Sequence, residues 1–289
     1  MKHVVCYSGG HSSALVAIEV VRKFGKDNVV LLNHDIAKHT EHSDIKRFKN
    51  EVADYLGINI TYANHKDLQT KQVDQFDVCI KERAFKYHSG KELCTKLLKT
   101  DPFMEWLETN TEPENTIIYY GFDKGEKLRI QRRSSALAVH GYKTDYPLAL
   151  WDDSDRTIQK THDIGIPPPL TYGAFKHANC IGCLKAGKQH WYITYLTRYD
   201  IFCKAKQAED IIGYSIIKGI YMDELELLFD RFKALGITTT EEEDGRTFMA
   251  RAKKLLKSGE KQEWYDDLSF IVDIFLEGLE NEKPCECTI

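Results

Sequence analysis

Long apolar runs are missing from this chain of 289 residues. No stretch approaches the roughly 20 apolar residues that span a bilayer as a helix. The basic, apolar, small-residue order of a signal peptide is also absent from the first residues, which read as a buried strand. These absences predict a cytoplasmic protein with no membrane partner. Charge of one sign is lacking as well. Forty Lys and Arg against 44 Asp and Glu leave a net charge of −4, which gives no general attraction for nucleic acid. A local basic patch at Lys127, Arg129, Arg132 and Arg133 stays a candidate. Two phosphate-binding signatures are missing: Gly-x-x-x-x-Gly-Lys-Ser/Thr throughout, and Gly-x-Gly-x-x-Gly after the first strand. Cysteine, by contrast, is present eight times. In a cytoplasmic chain this argues against a disulfide framework and raises metal, cluster or thiol chemistry at a few positions.

The remaining composition, 42% hydrophobic and 29% charged, is that of an ordinary globular protein. Residues 3–7 read as a short buried strand ending at glycines, and 13–24 carry apolar residues at helical spacing. The apolar run at 28–33 suits a parallel-sheet strand. A helix over 41–55 and a third strand over 58–62 complete a β-α-β-α-β alternation, the sign of a parallel sheet with helices on its faces. Further helices are expected over 72–87, 92–109 and 129–140, with strands over 116–120 and 144–150. A helix is also expected over 152–165. Prolines at 167–169 break the pattern, a Cys-x-x-Cys loop fills 170–188, and apolar helical faces follow at 211–232, 248–256 and 264–279. The expected organisation is an α/β domain over residues 1–166, then the Cys-x-x-Cys loop and a mostly helical region over 167–289. No internal repeat or low-complexity tract interrupts it.

Between the first strand and helix stands Ser8-Gly9-Gly10-His11-Ser12-Ser13. Glycines let backbone approach a phosphate, and the helix N-terminus offers unpaired N–H groups and partial positive charge. Ser8, Ser12 and Ser13 add hydroxyl donors. The same residues also read as a plain glycine turn with Ser12 as N-cap, and spacing alone leaves both open.

This segment resembles the PP-loop, Ser-Gly-Gly-x-Asp/Ser-Ser, of the adenine-nucleotide α-hydrolase superfamily. Three later segments resemble its PAPS reductase-like branch. They are Cys94-Thr95-x-x-Leu98-Lys99-x-x-Pro102, then Gly121 to Arg129 with Gly121, Glu126 and Arg129 in step, and Cys180-Ile181-Gly182-Cys183 after Ile164-Gly165-Ile166-Pro167. His11, Asp123 and Lys127 depart from the pattern. The resemblance covers residues 3 to about 190 and implies a HUP/PP-loop-type nucleotide-binding domain. It implies a nucleotide site from Ser8 to Ser13 with Asn33, Asp35, Gly121, Glu126 and Arg129. It also implies Mg2+ with ATP or a related adenine nucleotide, and a sulfur donor or thiol reductant as partner. The acceptor is left open between nucleic acid and a small molecule, and self-association into a homo-oligomer stays open too.

The cysteines carry the sulfur chemistry that this resemblance implies. In the DNA phosphorothioation sulfurtransferases of the branch, a Cys-Thr cysteine joins a later Cys-x-x-Cys on a 4Fe-4S cluster. Carried over, the metal ligands are Cys94, Cys180 and Cys183, for a 4Fe-4S cluster or Zn2+. Cys203 and His190 fit poorly as a fourth ligand. Two buried cysteines in a glycine-containing loop is the plainer reading of the same turn. Reductases of the branch instead use a nucleophilic cysteine in a Glu-Cys-Gly-Leu-His tail, which Glu286-Cys287 echoes without the Gly and His. Catalytic candidates are thus Cys94, Lys99 and Cys287. Cys6 and Cys79 read as core residues. The leading expectation is an enzyme that adenylates a substrate, releases pyrophosphate and transfers sulfur. A thiol-dependent reductase of PAPS and a non-catalytic nucleotide-binding subunit are the alternatives.

Overall fold

The central strand β1 (Lys2–Cys6) alternates its side chains between two layers. Val5 and Tyr7 enter one core while Val4 and Cys6 enter the other. The computed structural model describes residues 1–35, 37–64, 73–88, 90–174, 180–258 and 272. Around β1 stand β2 (Val29–Asn33), β3 (Ile60–Tyr62), β4 (Thr116–Tyr119) and β5 (Lys143–Asp145). All pairs are parallel, in the order β3-β2-β1-β4-β5. Val4 is flanked by Val30 and Ile118, so the middle of the sheet is apolar and buried on both faces. The chain leaves β1 toward β2 and returns to its other side as β4. The carboxyl ends of β1 and β4 therefore form a switch point, where α/β sheets open a ligand crevice.

On one face lie α1 (His11–Phe24) and α2 (Ser43–Leu56), burying Val16, Val20, Phe48 and Val52 against Val5 and Leu31. The His42 side chain caps α2, and Gly57 ends it in the left-handed region. On the other face lie α5 (Asp101–Asn110) and α6 (Lys127–Ala138), with Phe103, Leu107 and Leu137 in contact with Val4, Cys6 and Leu32. A short α4 (Leu93–Thr95) runs into α5 through a π turn, Lys96–Thr100. Pro102 lacks the N–H that an α turn would direct at Leu98, which accounts for the looser winding before it.

A second, helical core is formed by α3 (Gln75–Glu82), α8 (Lys188–Thr197), α9 (Tyr199–Ile212), α10 (Met222–Ala234) and α11 (Gly245–Ser258). Trp191, Tyr192, Phe202, Phe229 and Phe248 pack there with Phe76, Phe85 and Leu93, so this core recruits residues that precede Pro167. Among the described residues no helix is long and apolar enough to cross a membrane.

The α/β class, the parallel sheet and the helical region match the expectation; three local expectations do not hold. The fifth strand stops at Asp145, because Pro147 cannot donate to a ladder and instead starts α7 (Pro147–Leu150). The helix expected over 152–165 is replaced by short 3-10 turns. Buried Glu19 accepts hydrogen bonds from Thr157 N at 2.5 Å and Ile158 N at 3.0 Å, fixing that backbone outside a helix. The apolar stretch 211–232 is split at Gly213, and Glu209 spans the break by accepting from Ile216 N and Met222 N at 2.7 and 2.6 Å. Of the stretch 264–279 only Val272, a buried residue, lies among those described.

Candidate functional site

The phosphate loop begins where β1 ends. Gly9 has φ +80, and a Cβ there would stand 3.3 Å from Ile45 Cγ2 and Lys49 Cδ, so glycine is required. Gly10 is extended and serves as the N-cap of α1 without a side chain. Ser13 Oγ donates to Gly10 O at 2.9 Å and lies 3.2 Å from Ser8 Oγ, so these two hydroxyls brace the loop itself. Ser12 is exposed at the first turn of α1. Gly121 closes the other side of the switch point. Its Cβ would fall 2.9 Å from Ser12 C and Ser13 N, so any side chain there would force the backbone to shift. The ends of β1 and β4 thus meet at the N-terminus of α1.

His11 has a structural task. Thr161 N donates to its Nε2 at 3.3 Å, while His11 N donates to Tyr172 Oη at 2.9 Å. Burial, and then the charge of Lys160, lower the His11 pKa, which favours the neutral ring that can accept. Tyr172 therefore sits over the phosphate loop. The sequence contains no local signal for it, since it lies 161 positions from His11.

Glu126 and Arg129 shape the turn after Gly121. Glu126 Oε2 accepts from Asp123 N at 3.0 Å, and Asp123 Oδ1 accepts from Gly125 N at 2.7 Å. Arg129 pairs with Glu126 and stacks its guanidinium 4.4 Å from the Phe122 ring centre. Asn33 is also structural: it is buried, and its amide donates to Tyr7 O.

Beside the loop, at the carboxyl ends of β2 and β3, opens a cleft. It is lined by His34 and Asp35 after β2, Asn64 after β3, Asp74 and Gln75 at the start of α3, Cys94, Thr95, Leu98 and Lys99 along α4 and the π turn, and Cys180, Cys183 and Leu184. Asp74 caps α3 and also holds Lys204 and His39, each at 2.8 Å. Gln75 Nε2 donates to Ile181 O at 2.9 Å and Gly182 O at 3.1 Å, tying the Cys turn to α3. Gly182 has φ +67, and its Cβ would meet Ile201 Cγ2 at 2.6 Å. Gly182 N and Cys183 N both point at His190 Nε2, at 3.0 and 3.4 Å. Ile181 N donates to Thr40 O at 2.7 Å, and Cys180 pairs with Glu41. His190 is thus a support of the turn. Cys203 is exposed on α9 and does not line the cleft.

The structure therefore brings Asp35, Cys94, Lys99, Cys180 and Cys183 to one cleft, with the phosphate loop at the neighbouring strand ends. Cys287 lies outside the described residues. Burial pushes the Cys6 and Cys79 thiols up to about 12, as befits core residues. The three cleft cysteines share a cavity, but among the described residues no group of three or more His, Cys, Asp or Glu stands close enough to hold a metal ion. The residues that sequence reasoning missed are Gln75 and Tyr172, both of which act through contacts distant in sequence. No family model, no curated protein and no solved structure matches the chain.

Proposed function

We propose that the chain is an adenine-nucleotide-binding enzyme of the PP-loop, PAPS reductase-like type, which adenylates a substrate, releases pyrophosphate and passes sulfur to the activated centre. One observation carries the reading. Five residues singled out from separate motifs, Asp35, Cys94, Lys99, Cys180 and Cys183, all line the cleft beside the phosphate loop.

The chemistry follows from that neighbourhood. A triphosphate lies with its β- and γ-phosphates at the N-terminus of α1, where backbone N–H groups and the Ser12 hydroxyl face negative charge. An acceptor oxygen attacks the α-phosphorus, the bond to the bridging oxygen breaks, and pyrophosphate leaves. Preorganised donors and the Lys99 ammonium stabilise charge as it develops. Bound Mg2+ supplies further neutralisation of the triphosphate. An external sulfur donor loads a cleft cysteine as a persulfide. Its outer sulfur attacks the adenylated centre, AMP departs as the carbon–oxygen bond breaks, and a thiol reductant cleaves the resulting disulfide to release the thiolated product and the free cysteine.

The test is calorimetry with ATP, alongside pyrophosphate release, on the wild type and Gly10→Asp. Gly10 is an extended N-cap, a position where Asp is favoured, so the variant should fold. Its carboxylate would occupy and repel the phosphate position. Loss of ATP binding in the variant is expected; equal affinity in both proteins would overturn the assignment.

A further inference from the structure

Three amides at the start of α1, on His11, Ser12 and Ser13, precede the first intrahelical bond, which runs from Ala14 N to Gly10 O. They are the donors that a phosphate at this loop would use. One of them is already taken. His11 N donates to Tyr172 Oη at 2.9 Å, so a phenol oxygen stands where an anion oxygen would accept. Burial raises the Tyr172 pKa against the opposing pull of the His11 amide, and the oxygen therefore stays a neutral phenol. A phosphate oxygen accepts the same N–H through a charge-assisted bond of about twice the strength. One N–H presents one hydrogen, so the stronger acceptor has to evict the weaker.

Tyr172 belongs to a short 3-10 turn, Leu170–Tyr172, that is pinned from outside the loop. Leu170 N donates to Asp44 Oδ2 at 2.6 Å, and Ala174 N donates to Glu241 O at 2.9 Å. Gly173 lies against the backbone of Glu242, where a Cβ would fall 2.1 Å from the carbonyl oxygen. The turn is thus seated by α2 and by the connection between α10 and α11, and it meets the phosphate loop through the phenol. Its seat is imperfect. Thr171 is 4% exposed, and its Oγ1 has no hydrogen-bond partner among the described residues. Lifting the turn gives that hydroxyl to water, which lowers the cost of opening. We propose that Leu170–Tyr172 is a stopper: Tyr172 plugs the phosphate loop until phosphate displaces the phenol and opens the turn. The inference rests on the phosphate-loop reading above and adds its regulation, since the connection over 235–244 that seats the turn then sets how readily phosphate enters.

Calorimetry with inorganic pyrophosphate and with ATP, on the full chain as wild type and as Tyr172→Phe, tests the stopper. The variant keeps the ring and removes only the oxygen that holds His11 N. A stopper lowers apparent affinity by the fraction of molecules in which it is open. Loss of one neutral hydrogen bond should therefore raise the affinity of Tyr172→Phe for both ligands roughly two- to tenfold. Hydrogen exchange on the wild type is an independent measure. Pyrophosphate should speed exchange of the Tyr172 and Gly173 amides, which the closed turn bonds to Pro169 O and Leu170 O. Weaker binding by Tyr172→Phe would overturn the proposal, because it makes Tyr172 a phosphate ligand. Equal affinity in both proteins, or exchange that is unchanged or slower with pyrophosphate bound, would overturn it as well while leaving the phosphate site standing. If neither ligand binds the wild type or Tyr172→Phe, the phosphate-loop reading fails and the stopper with it.

Discussion

The phosphate loop and the cysteine cleft lie side by side yet are built in opposite ways. The loop is local. Ser8, Gly10 and Ser13 brace one another within six residues, and Gly121, Tyr172 and Thr161 add contacts from farther along the chain. The cleft is assembled at a distance, from stretches near residues 34, 64, 74, 96 and 182, and its cysteine turn depends on Gln75, His190 and Thr40. A local device is specified by its own residues. A composite one inherits its geometry from helix packing and is correspondingly easier to disrupt.

The largest effect is expected on the composite side. Gly182→Ala would impose a left-handed backbone on a Cβ and drive it into Ile201, costing roughly 2–5 kcal/mol. Chemical denaturation should register the loss, while pyrophosphate binding at the loop survives wherever the protein remains folded. Loss of pyrophosphate affinity in folded Gly182→Ala would show that the two regions are not separable. On the loop side, Gly121→Ala presses on the backbone of Ser12 and Ser13, which cannot rotate away. About 1–3 kcal/mol of stability should be lost, together with pyrophosphate affinity, and thiol reactivity in the cleft should stay as it was. Wild-type pyrophosphate affinity would contradict the close approach of β4 to α1.

These two glycines also show what the sequence made legible. The β-α-β alternation, the five strands and the position of the loop follow from apolar runs and glycine placement, both of which are local. The helix expected over 152–165 failed because a buried carboxylate 138 positions upstream of Thr157, Glu19, takes that backbone. No propensity scale contains such a contact. The grouping of Cys94 with Cys180 and Cys183 came from family resemblance, and its support is the packing of α3 against α9 and the ties from Gln75.

The smallest effect concerns pH and the helices behind the cleft. Burial raises Glu209 to about 7, above its ordinary range, against the two backbone amides that favour its ionised form. A folded pKa above the unfolded one stabilises fully below about 4.5, and that stability is lost as pH rises toward 7. Melting curves from pH 4.5 to 7.5 should therefore decline in the wild type and flatten in Glu209→Gln. Equal pH slopes would remove Glu209 from the account.

The central claim is that one adenine nucleotide spans both regions, with its phosphates on the loop and the rest of the molecule in the cleft. Alkylation of Cys94 and Cys180, followed by mass spectrometry with and without saturating ATP, tests it most directly. ATP should slow labelling of both thiols in the wild type and have no effect in Gly10→Asp, where only the loop is altered. Unchanged labelling in the wild type, or protection that persists in Gly10→Asp, would contradict a nucleotide held jointly by the loop and the cleft.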